Sequence, residues 1–288
     1  MTIDIICPLY NAERYIEKQY NQIKQQTFYN NIKNINYVIT ESKDGTVAIL
    51  KNLANKDEKI KYSIIKKEEF SHSLSRENVA RKSQSDILVF ITQDVRIERK
   101  DWLEKLVAPI INNEVDASYS RQLCDNNTIE KYTRECNYSA ESIIKSKEDV
   151  ERLGLKTFFF SDASSAIKTD TFLKLNGYDG KNFPTNEDMY IAYKLIMNGY
   201  KIKYCADSEV IHSHKFTLKQ QYKRYYDIGV FFKQNEYLNN YKVNKSGAGL
   251  AKYVLKRALQ EKNGGVLANF LPNMAVRFIG MKIGKIKG

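Results

Sequence analysis

The chain of 288 residues is predicted to adopt an α/β fold built on a doubly wound, parallel sheet. Between Thr2 and Tyr119, short runs rich in isoleucine and valine alternate with longer stretches of helical periodicity. This alternation is typical of a sheet with helices on both faces. The run Ile87 to Ile91 is entirely apolar, which indicates a strand buried on both faces.

Each element of the first part follows from its own pattern. Five strands are predicted, at Thr2–Cys7, Ile35–Ile39, Ile60–Ile65, Ile87–Ile91 and Val115–Tyr119. The connecting helices are predicted to start near Asn11, Asp44, Ser75 and Asp101. Asn, Asp and Ser are the residue types that favour the N-terminal cap of a helix, because their side chains accept hydrogen bonds from free backbone N–H groups.

The second part is less regular. A partly helical segment is predicted between Asp125 and Gly154, one or two strands between Thr157 and Lys168, and an amphipathic helix from Asn186 to Gly199. Two further strands are predicted, at Lys201–Cys205 and Val210–His214. His212 and His214 stand two apart on the second of these, so their side chains would share one face.

Composition limits the class of protein. The chain is 42% hydrophobic and 28% charged, which is enough for a full-sized core. The four cysteines are widely scattered, as expected of reduced cysteines in a cytoplasmic protein. The N-terminus does not resemble a signal peptide, and no apolar run approaches the roughly 20 residues that span a bilayer.

Charge divides the chain at residue 215. Residues 216–288 hold 11 Lys and 3 Arg against 3 acids, so they carry nearly all of the net charge of +12. We therefore predict a catalytic domain at 1–215 and a basic, aromatic, helical extension at 216–288. The helical stripe Val266, Phe270, Met274, Phe278 and Met281 predicts peripheral contact with an anionic membrane. The alternative is an ordinary solvated helix packed on the catalytic domain.

Three segments carry side chains that could act together. Asp94 follows the buried strand, where open α/β sheets bind their ligands. Glu187 and Asp188 open a helix, whose dipole favours ionised carboxylates. One Asp and one of His212 or His214, with phosphate oxygens and water, would suit Mn²⁺ or Mg²⁺. The alternatives are a capping role for Asp94 and a hydrogen-bonded polar turn for the histidines.

Short motifs then identify a resemblance. They are P-L-Y-N (Pro8–Asn11), D-G-T (Asp44–Thr46), T-Q-D (Thr92–Asp94), N-G-Y-D (Asn176–Asp179), N-E-D-M (Asn186–Met189) and H-S-H (His212–His214). In this order they resemble family 2 glycosyltransferases of GT-A type. F-S-H-S-L-S-R, F-I-T-Q-D, R-Q, N-Y, K-T-F-F-F-S-D-A-S-S-A-I-K and R-Y-Y-D-I-G-V resemble the bacterial rhamnosyltransferase branch. The resemblance covers about residues 2–232. It implies a Rossmann-like, mixed but mainly parallel sheet with helices on both faces, to which the charge pattern adds the basic helical extension.

The resemblance also implies roles for matching residues. The donor-binding residues would be Pro8, Tyr10, Asn11, Glu41, Asp44, Arg76, Gln93 and Asp94. Asp188 matches the catalytic base, while Glu187, Arg224 and Tyr225 would contact the acceptor or the diphosphate. Thr92 stands where the family has the first acid of its D-x-D-like motif, so Asp94 is expected to bind metal with His214 or His212.

The implied activity is inverting transfer of a sugar to a glycan or polyprenyl-linked acceptor in capsule or O-antigen synthesis. The expected donor is dTDP-L-rhamnose, and the expected location is the cytoplasm, peripheral to the inner face of the bacterial cell membrane. An acceptor hydroxyl is a poor nucleophile, so a carboxylate must remove its proton, and Asp188 is the candidate.

Three alternatives remain at this point. The donor could be another UDP-, GDP- or dTDP-sugar. A nucleotidyltransferase would be expected to have a Gly- and Arg-rich loop near the first strand, which P-L-Y-N-A-E-R does not resemble. A nucleic-acid-binding protein is disfavoured by the near-neutral charge of residues 1–215, so no nucleic-acid partner is expected. The oligomeric state stays open.

Overall fold

The computed structural model of the protein describes residues 1–242 and 246–288, and these form one layer of strands between two layers of helices. The strands in these residues are β1 (Ile3–Leu9), β2 (Ile32–Thr40), β3 (Ile60–Ile65), β4 (Ile87–Ile91), β5 (Ala117–Leu123), β6 (Ile143–Lys145), β7 (Ser164–Lys168) and β8 (Ile202–Ile211). They form a single sheet in the order β3-β2-β1-β4-β7-β5-β8-β6.

The helices of the same ranges lie on both faces of the sheet and in a C-terminal group. They are α1 (Glu13–Lys24), α2 (Thr46–Lys56), α3 (Leu74–Ala80), α4 (Trp102–Ile111), α5 (Ile129–Asn137), α6 (Val150–Leu153), α7 (Thr169–Lys174), α8 (Glu187–Met197), α9 (Leu218–Gln234), α10 (Ser246–Gln260) and α11 (Gly264–Lys287). Successive strand residues join opposite cores. Ile5 packs with the α1 and α4 side, whereas Ile6 packs with the α7 and α8 side.

The mixed, mainly parallel sheet with helices on both faces is confirmed, but the order of its strands differs from a simple doubly wound sheet. β1 is parallel to β2 and β4, and β2 is parallel to β3. β7 lies antiparallel between β4 and β5, and β6 is antiparallel to β8. The predicted β-α alternation along the chain therefore holds through β5, but in the sheet a strand from later in the chain, β7, separates β5 from β4.

Several local predictions need correction. The two strands predicted at Lys201–Cys205 and Val210–His214 are one continuous strand, β8, and both histidines lie beyond its end. The N-cap residue of α1 is Ala12 and not Asn11, whose φ of 46° lies in the left-handed region. Asp101 occupies the N-cap position of α4 without capping it, because its carboxylate accepts hydrogen bonds from Arg99.

The antiparallel direction of β7 matters for the site. Ile91 at the end of β4 pairs with Ser164 at the start of β7, so the residues just before β7 lie at the carboxyl edge of β4. β5 and β8 are parallel, and both end at this same edge. Backbone hydrogen bonds of 2.9 Å in both directions join Arg96 to Ile211 and hold the loop after β4 against the end of β8.

The C-terminal helices pack tightly on the rest of the chain. Phe231 and Phe232 of α9 join the core that contains Phe183 and Tyr190. α11 lies against α9 through small residues: a Cβ atom on Gly284 would meet the Tyr226 carbonyl oxygen at 2.1 Å. The division of the chain at residue 215 remains a prediction.

The predicted apolar stripe of α11 is exposed only in part. Val266 is buried, and Phe270 and Met281 are partly buried against other parts of the protein. Phe278 of the predicted stripe is exposed, and the exposed face also carries Leu271, Ile279 and Ile286, which lie outside that stripe. Packing against α9 buries the glycine face of the helix. The spacing of apolar residues in the sequence does not predict this orientation. In the described ranges, no helix is both long and apolar enough to cross a bilayer.

Candidate active site

Asp94, His212 and His214 meet at the carboxyl edge of the sheet. The Nε2 atom of His212 lies 3.5 Å from Oδ1 of Asp94, and the Nδ1 atom of His214 lies 3.5 Å from Oδ2. One ligand atom from each of the three residues lies within 4.8 Å of the others. The loop after β4 supplies the carboxylate and the segment after β8 supplies both imidazoles, so the Arg96–Ile211 pairing brings the three together.

The surroundings favour the forms of these groups that bind metal. Burial alone would raise the pKa of the Asp94 carboxyl, but His212 and His214 outweigh burial and hold it well below its ordinary range. Burial lowers the pKa of His214 to about 4. Burial also lowers the pKa of His212, against the opposing charge of Asp94. At neutral pH the cluster therefore presents one carboxylate and two neutral imidazoles.

This donor set fits a divalent metal ion. Two imidazole nitrogens and one carboxylate oxygen are typical ligands of first-row divalent metals such as Mn²⁺, whereas Mg²⁺ prefers ligands that are all oxygen. The sequence predicted that Asp94 would bind the metal together with one histidine, either His212 or His214. Both histidines take part in the cluster.

A second cluster surrounds Asp188 at the start of α8. Arg76 of α3 is buried and forms an ion pair of 3.2 Å with Glu187. Asp162, which precedes β7, is also buried and accepts hydrogen bonds of 2.7 Å from Ser165 and from the Tyr178 hydroxyl. Three acidic side chains and one guanidinium thus share a small region at the edge of the sheet.

The electrostatics of this cluster are opposite to those of the metal cluster. Burial, together with the negative charges of Glu187 and Asp162, raises the pKa of Asp188 well above its ordinary range. Burial also raises the pKa of Asp162, although the positive charge of Arg76 opposes the shift. A carboxylate with a raised pKa binds a proton more strongly, which is the property required of a general base.

Two cavities meet between these clusters. The first, of about 540 Å³, is lined by Pro8, Tyr10, Thr40, Lys67, Phe70 and Asp94, among others. The second, of about 290 Å³, contains Glu187, Asp188, Tyr225 and Arg277 in its wall. Their walls share His72, Arg76, Thr92, His212 and Arg224. The candidate base therefore lines one cavity, Asp94 and His214 line the other, and His212 lies in the wall that the two cavities share.

The structure brings most of the predicted site residues to these two cavities. Pro8, Tyr10, Arg76, Gln93 and Asp94 line the first. Asp188, Glu187, Arg224 and Tyr225 line the second. Gln93 also connects two loops, because its side chain accepts a hydrogen bond from Tyr10 N and donates one to Tyr10 O.

Three predicted donor-binding residues do not line the first cavity. Asn11 accepts a hydrogen bond from Lys43 N, and Asp44 accepts hydrogen bonds from Glu13 N and Thr46 N. These contacts join the turn after β2 to the start of α1. Glu41 is exposed at the end of β2. Their roles in donor binding remain predictions.

Sequence reasoning gave no role to several residues of the site. Asp162 and His72 occur inside motifs that carried the resemblance, F-F-F-S-D-A-S-S and F-S-H-S-L-S-R, so their presence there was the available signal. Arg277 comes from α11, where nothing in the sequence connects it to the site. It donates a hydrogen bond of 3.1 Å to the Tyr225 hydroxyl.

Comparison with known proteins identifies the family. The sequence profile described as Glycosyl transferase family 2 matches residues 4–175, which is more than half of the chain. The chain belongs to glycosyl transferase family 2. It is a glycosyltransferase, and the resemblance stated from its motifs is confirmed.

Two relatives are similar over almost the whole chain. One is the O-antigen chain rhamnosyltransferase RfbN of Salmonella typhimurium strain LT2, with 33% identity over 99% of this chain and 90% of the relative. The other is the O-antigen chain rhamnosyltransferase WbaN of Salmonella anatum, with 32% identity over 98% of this chain and 88% of the relative.

Solved structures share the fold. The mannosyltransferase PcManGT from Pyrobaculum calidifontis, in complex with GDP-Man and Mn²⁺, has a TM-score of 0.65 at 16% identity, over 99% of this chain and 87% of that one. S. aureus TarS 1–349 in complex with UDP-GlcNAc has a TM-score of 0.58 at 15% identity, over 99% of this chain and 91% of that one. At these identities the likeness is one of fold.

Proposed function

We propose that this glycosyltransferase moves L-rhamnose from dTDP-L-rhamnose to a glycan or lipid-linked glycan acceptor, in the synthesis of a bacterial cell-surface polysaccharide such as O-antigen. Two relatives named as O-antigen chain rhamnosyltransferases support the sugar and the process. The observation that carries the reaction is the pair of cavities that meet between Asp94 and Asp188.

The nucleotide sugar occupies the first cavity, where Pro8 and Tyr10 contact the nucleoside. Asp94, His212 and His214 would hold Mn²⁺, which would supply positive charge to the leaving diphosphate. Arg76 lies at the boundary of the two cavities and contributes a second positive charge toward the same group. The Mn²⁺ found with GDP-Man in PcManGT is consistent with this assignment.

The acceptor occupies the second cavity, with its hydroxyl directed at Asp188. Asp188 removes the hydroxyl proton while the acceptor oxygen forms its bond to the anomeric carbon. The bond from that carbon to the diphosphate oxygen breaks in the same step, so the configuration inverts. Glu187, Arg224 and Tyr225 line the same cavity and orient the acceptor. The raised pKa of Asp188 matches its role as base.

A donor screen tests this proposal. The purified protein is incubated with dTDP-L-rhamnose, or with UDP- and GDP-sugars, with and without Mn²⁺, and slow hydrolysis of the donor is measured. We expect metal-dependent release of dTDP, faster than the release of UDP or GDP. Faster hydrolysis of a UDP- or GDP-sugar would overturn the choice of donor, and hydrolysis that a chelator does not change would overturn the metal site.

We also propose peripheral contact with an anionic membrane on its cytoplasmic face, through the exposed face of α11. Leu271 and Phe278 on this face are 74% and 68% exposed, and Ile279 and Ile286 accompany them. These four side chains recur at a helical spacing on one side of the helix. Exposed Lys282 and Lys287 add positive charge toward anionic lipid headgroups. A lipid-linked acceptor would then lie close to the catalytic cavities.

Vesicle co-sedimentation tests the membrane contact. The double variant Leu271→Ser with Phe278→Ser is compared with Ile64→Ser, which removes another exposed apolar side chain, from β3. We expect the double variant to lose binding to phosphatidylglycerol vesicles and Ile64→Ser to retain it. Equal binding by all three proteins would contradict a membrane role for this face.

A further inference from the structure

The inner side of the His212 ring is held by a buried network. Its Nδ1 atom lies 2.8 Å from Oε1 of Gln122, a residue of β5, and 3.4 Å from Nη2 of Arg134. All three side chains are buried or nearly so. Nothing in the proposed transfer reaction uses Gln122 or Arg134, although both lie directly behind a proposed metal ligand.

Arg134 determines which end of the Gln122 amide faces the histidine. A guanidinium can only donate hydrogen bonds, and Nη1 of Arg134 donates to the same Gln122 atom that lies beside His212. That atom must therefore be the amide oxygen. The amide nitrogen points the other way and donates a hydrogen bond of 2.7 Å to the Ser161 hydroxyl. An ion pair of 3.1 Å with Glu130 holds Arg134 in place.

The oxygen of Gln122 in turn determines where the neutral His212 carries its hydrogen. In a neutral imidazole one ring nitrogen carries a hydrogen and the other accepts. The acceptor oxygen of Gln122 lies 2.8 Å from Nδ1, much closer than the donor Nη2 of Arg134 at 3.4 Å, so the Gln122 contact favours Nδ1 as the donor and leaves Nε2 with a free lone pair. This lone pair faces Asp94, with 3.5 Å between Nε2 and Oδ1.

We propose that Gln122 is a positioning residue that keeps His212 in the Nδ1–H tautomer, so that Nε2 is directed at the divalent cation shared with Asp94 and His214. In the other tautomer, Nε2–H would donate a hydrogen bond to Asp94 and block both ligand atoms at once. Partners of this kind behind a metal-binding histidine change metal affinity by about 10- to 100-fold. The inference rests on the metal site proposed above.

Nitrogen-15 NMR of the metal-free protein tests the tautomer directly. The chain has three histidines, so labelled imidazole signals are few and His212→Gln assigns one of them. The spectra are recorded at about pH 8.5, well above the ordinary pKa of histidine. We expect His212 in the Nδ1–H form. An Nε2–H form in the unaltered protein would overturn the proposal, whatever the donor sugar proves to be.

Three variants separate positioning from packing. Gln122→Met keeps the size of the side chain but removes the acceptor, so we expect the Nδ1–H form to be lost and the dissociation constant for Mn²⁺ to rise about 10- to 100-fold. Gln122→Glu restores an acceptor beside Arg134 and should restore both properties. Ser161→Ala removes the other Gln122 partner and should leave both unchanged.

Calorimetric titration with Mn²⁺ alone measures the affinities, so the result does not depend on which sugar is transferred. Unchanged Mn²⁺ affinity in Gln122→Met would overturn the proposal, as would weakened affinity in Gln122→Glu. If Gln122→Met fails to fold, the His212 tautomer in the unaltered protein and the Mn²⁺ affinity of Gln122→Glu still test the proposal. An absence of Mn²⁺ binding by the unaltered protein would instead contradict the metal site itself.

Discussion

Asp94 and Asp188 are the same residue type at the same edge of one sheet, yet their pKa values shift in opposite directions. Both carboxyls are partly buried, and burial by itself raises the pKa of each. Asp94 faces two imidazoles, which reverse the shift, whereas Asp188 faces the carboxyls of Glu187 and Asp162, which increase it. The comparison teaches that the neighbours, and not the residue type, separate a candidate metal ligand from a candidate base.

The largest expected effect comes from removing the base. Asp188→Asn keeps the size of the side chain but cannot accept the proton, so we expect the transfer rate to fall about 100- to 10,000-fold. Affinity for Mn²⁺ should stay the same, because Asp188 is not part of the metal cluster. Rate assays and calorimetry measure the two properties. Asp170→Asn, a change at an exposed site on α7, is the matched control. Near-normal turnover in Asp188→Asn would contradict the assignment of Asp188 as the base.

Removing the carboxylate from the other cluster should have the complementary result. Asp94→Asn is expected to weaken Mn²⁺ binding by at least about tenfold, because the amide lacks the negative charge that attracts the cation. Turnover should fall in parallel and should recover in part at high Mn²⁺ concentration. Titration calorimetry checks the affinity. Mn²⁺ binding equal to that of the unaltered protein would show that the two clusters do not divide the roles in this way.

A smaller effect is expected from Glu187→Gln, which removes one of the charges that raise the pKa of Asp188. A general base acts only when ionised, so the rate should fall as the pH drops through the pKa of Asp188. With the neighbouring charge removed, this acid limb should move to lower pH. Profiles of kcat against pH for the two proteins test the shift. A limb that stays in place, or moves upward, would contradict the electrostatic contrast.

The smallest effect is one of stability. Because the folded-state pKa of Asp188 is raised, the unfolded chain ionises first as the pH increases, and the unaltered protein loses stability between the unfolded and folded pKa values. Asp188→Asn has no such group. The Tm of Asp188→Asn minus the Tm of the unaltered protein should therefore increase as the pH rises above about 4. Thermal melts across this range measure the difference, which would be absent or reversed if burial did not affect Asp188.

Much of the site could be predicted from the sequence, because its residues occur in motifs at the ends of elements. Asp94, Asp188, Arg76 and both histidines were predicted and lie together at one edge of the sheet. Asp44 and Asn11 occur in motifs of the same kind, yet their side chains hold backbone groups of the adjacent turns. A motif does not distinguish these uses, since both need a polar side chain beside a turn.

By itself, the sequence determined where most strands and helices form, because local periodicity reports which faces of an element are buried. It also determined which side chains follow each strand, and hence which groups could meet at the edge of the sheet. The sequence did not determine which residues contact each other across the fold. The insertion of β7, the pairing of Arg96 with Ile211 and the Gln122 contact with His212 join residues that are distant along the chain.

The tertiary structure also decided the meaning of the glycines in α11. As isolated residues, Gly280 and Gly284 lower the intrinsic preference for a helix. Against α9 they allow two backbones to approach, and larger side chains there would collide with the carbonyl oxygens of Tyr222 and Tyr226. The same packing turns Arg277 inward toward Tyr225 and leaves Phe278 exposed. Local pattern shows that a helix can form, whereas the shape of its neighbour selects the face that is buried.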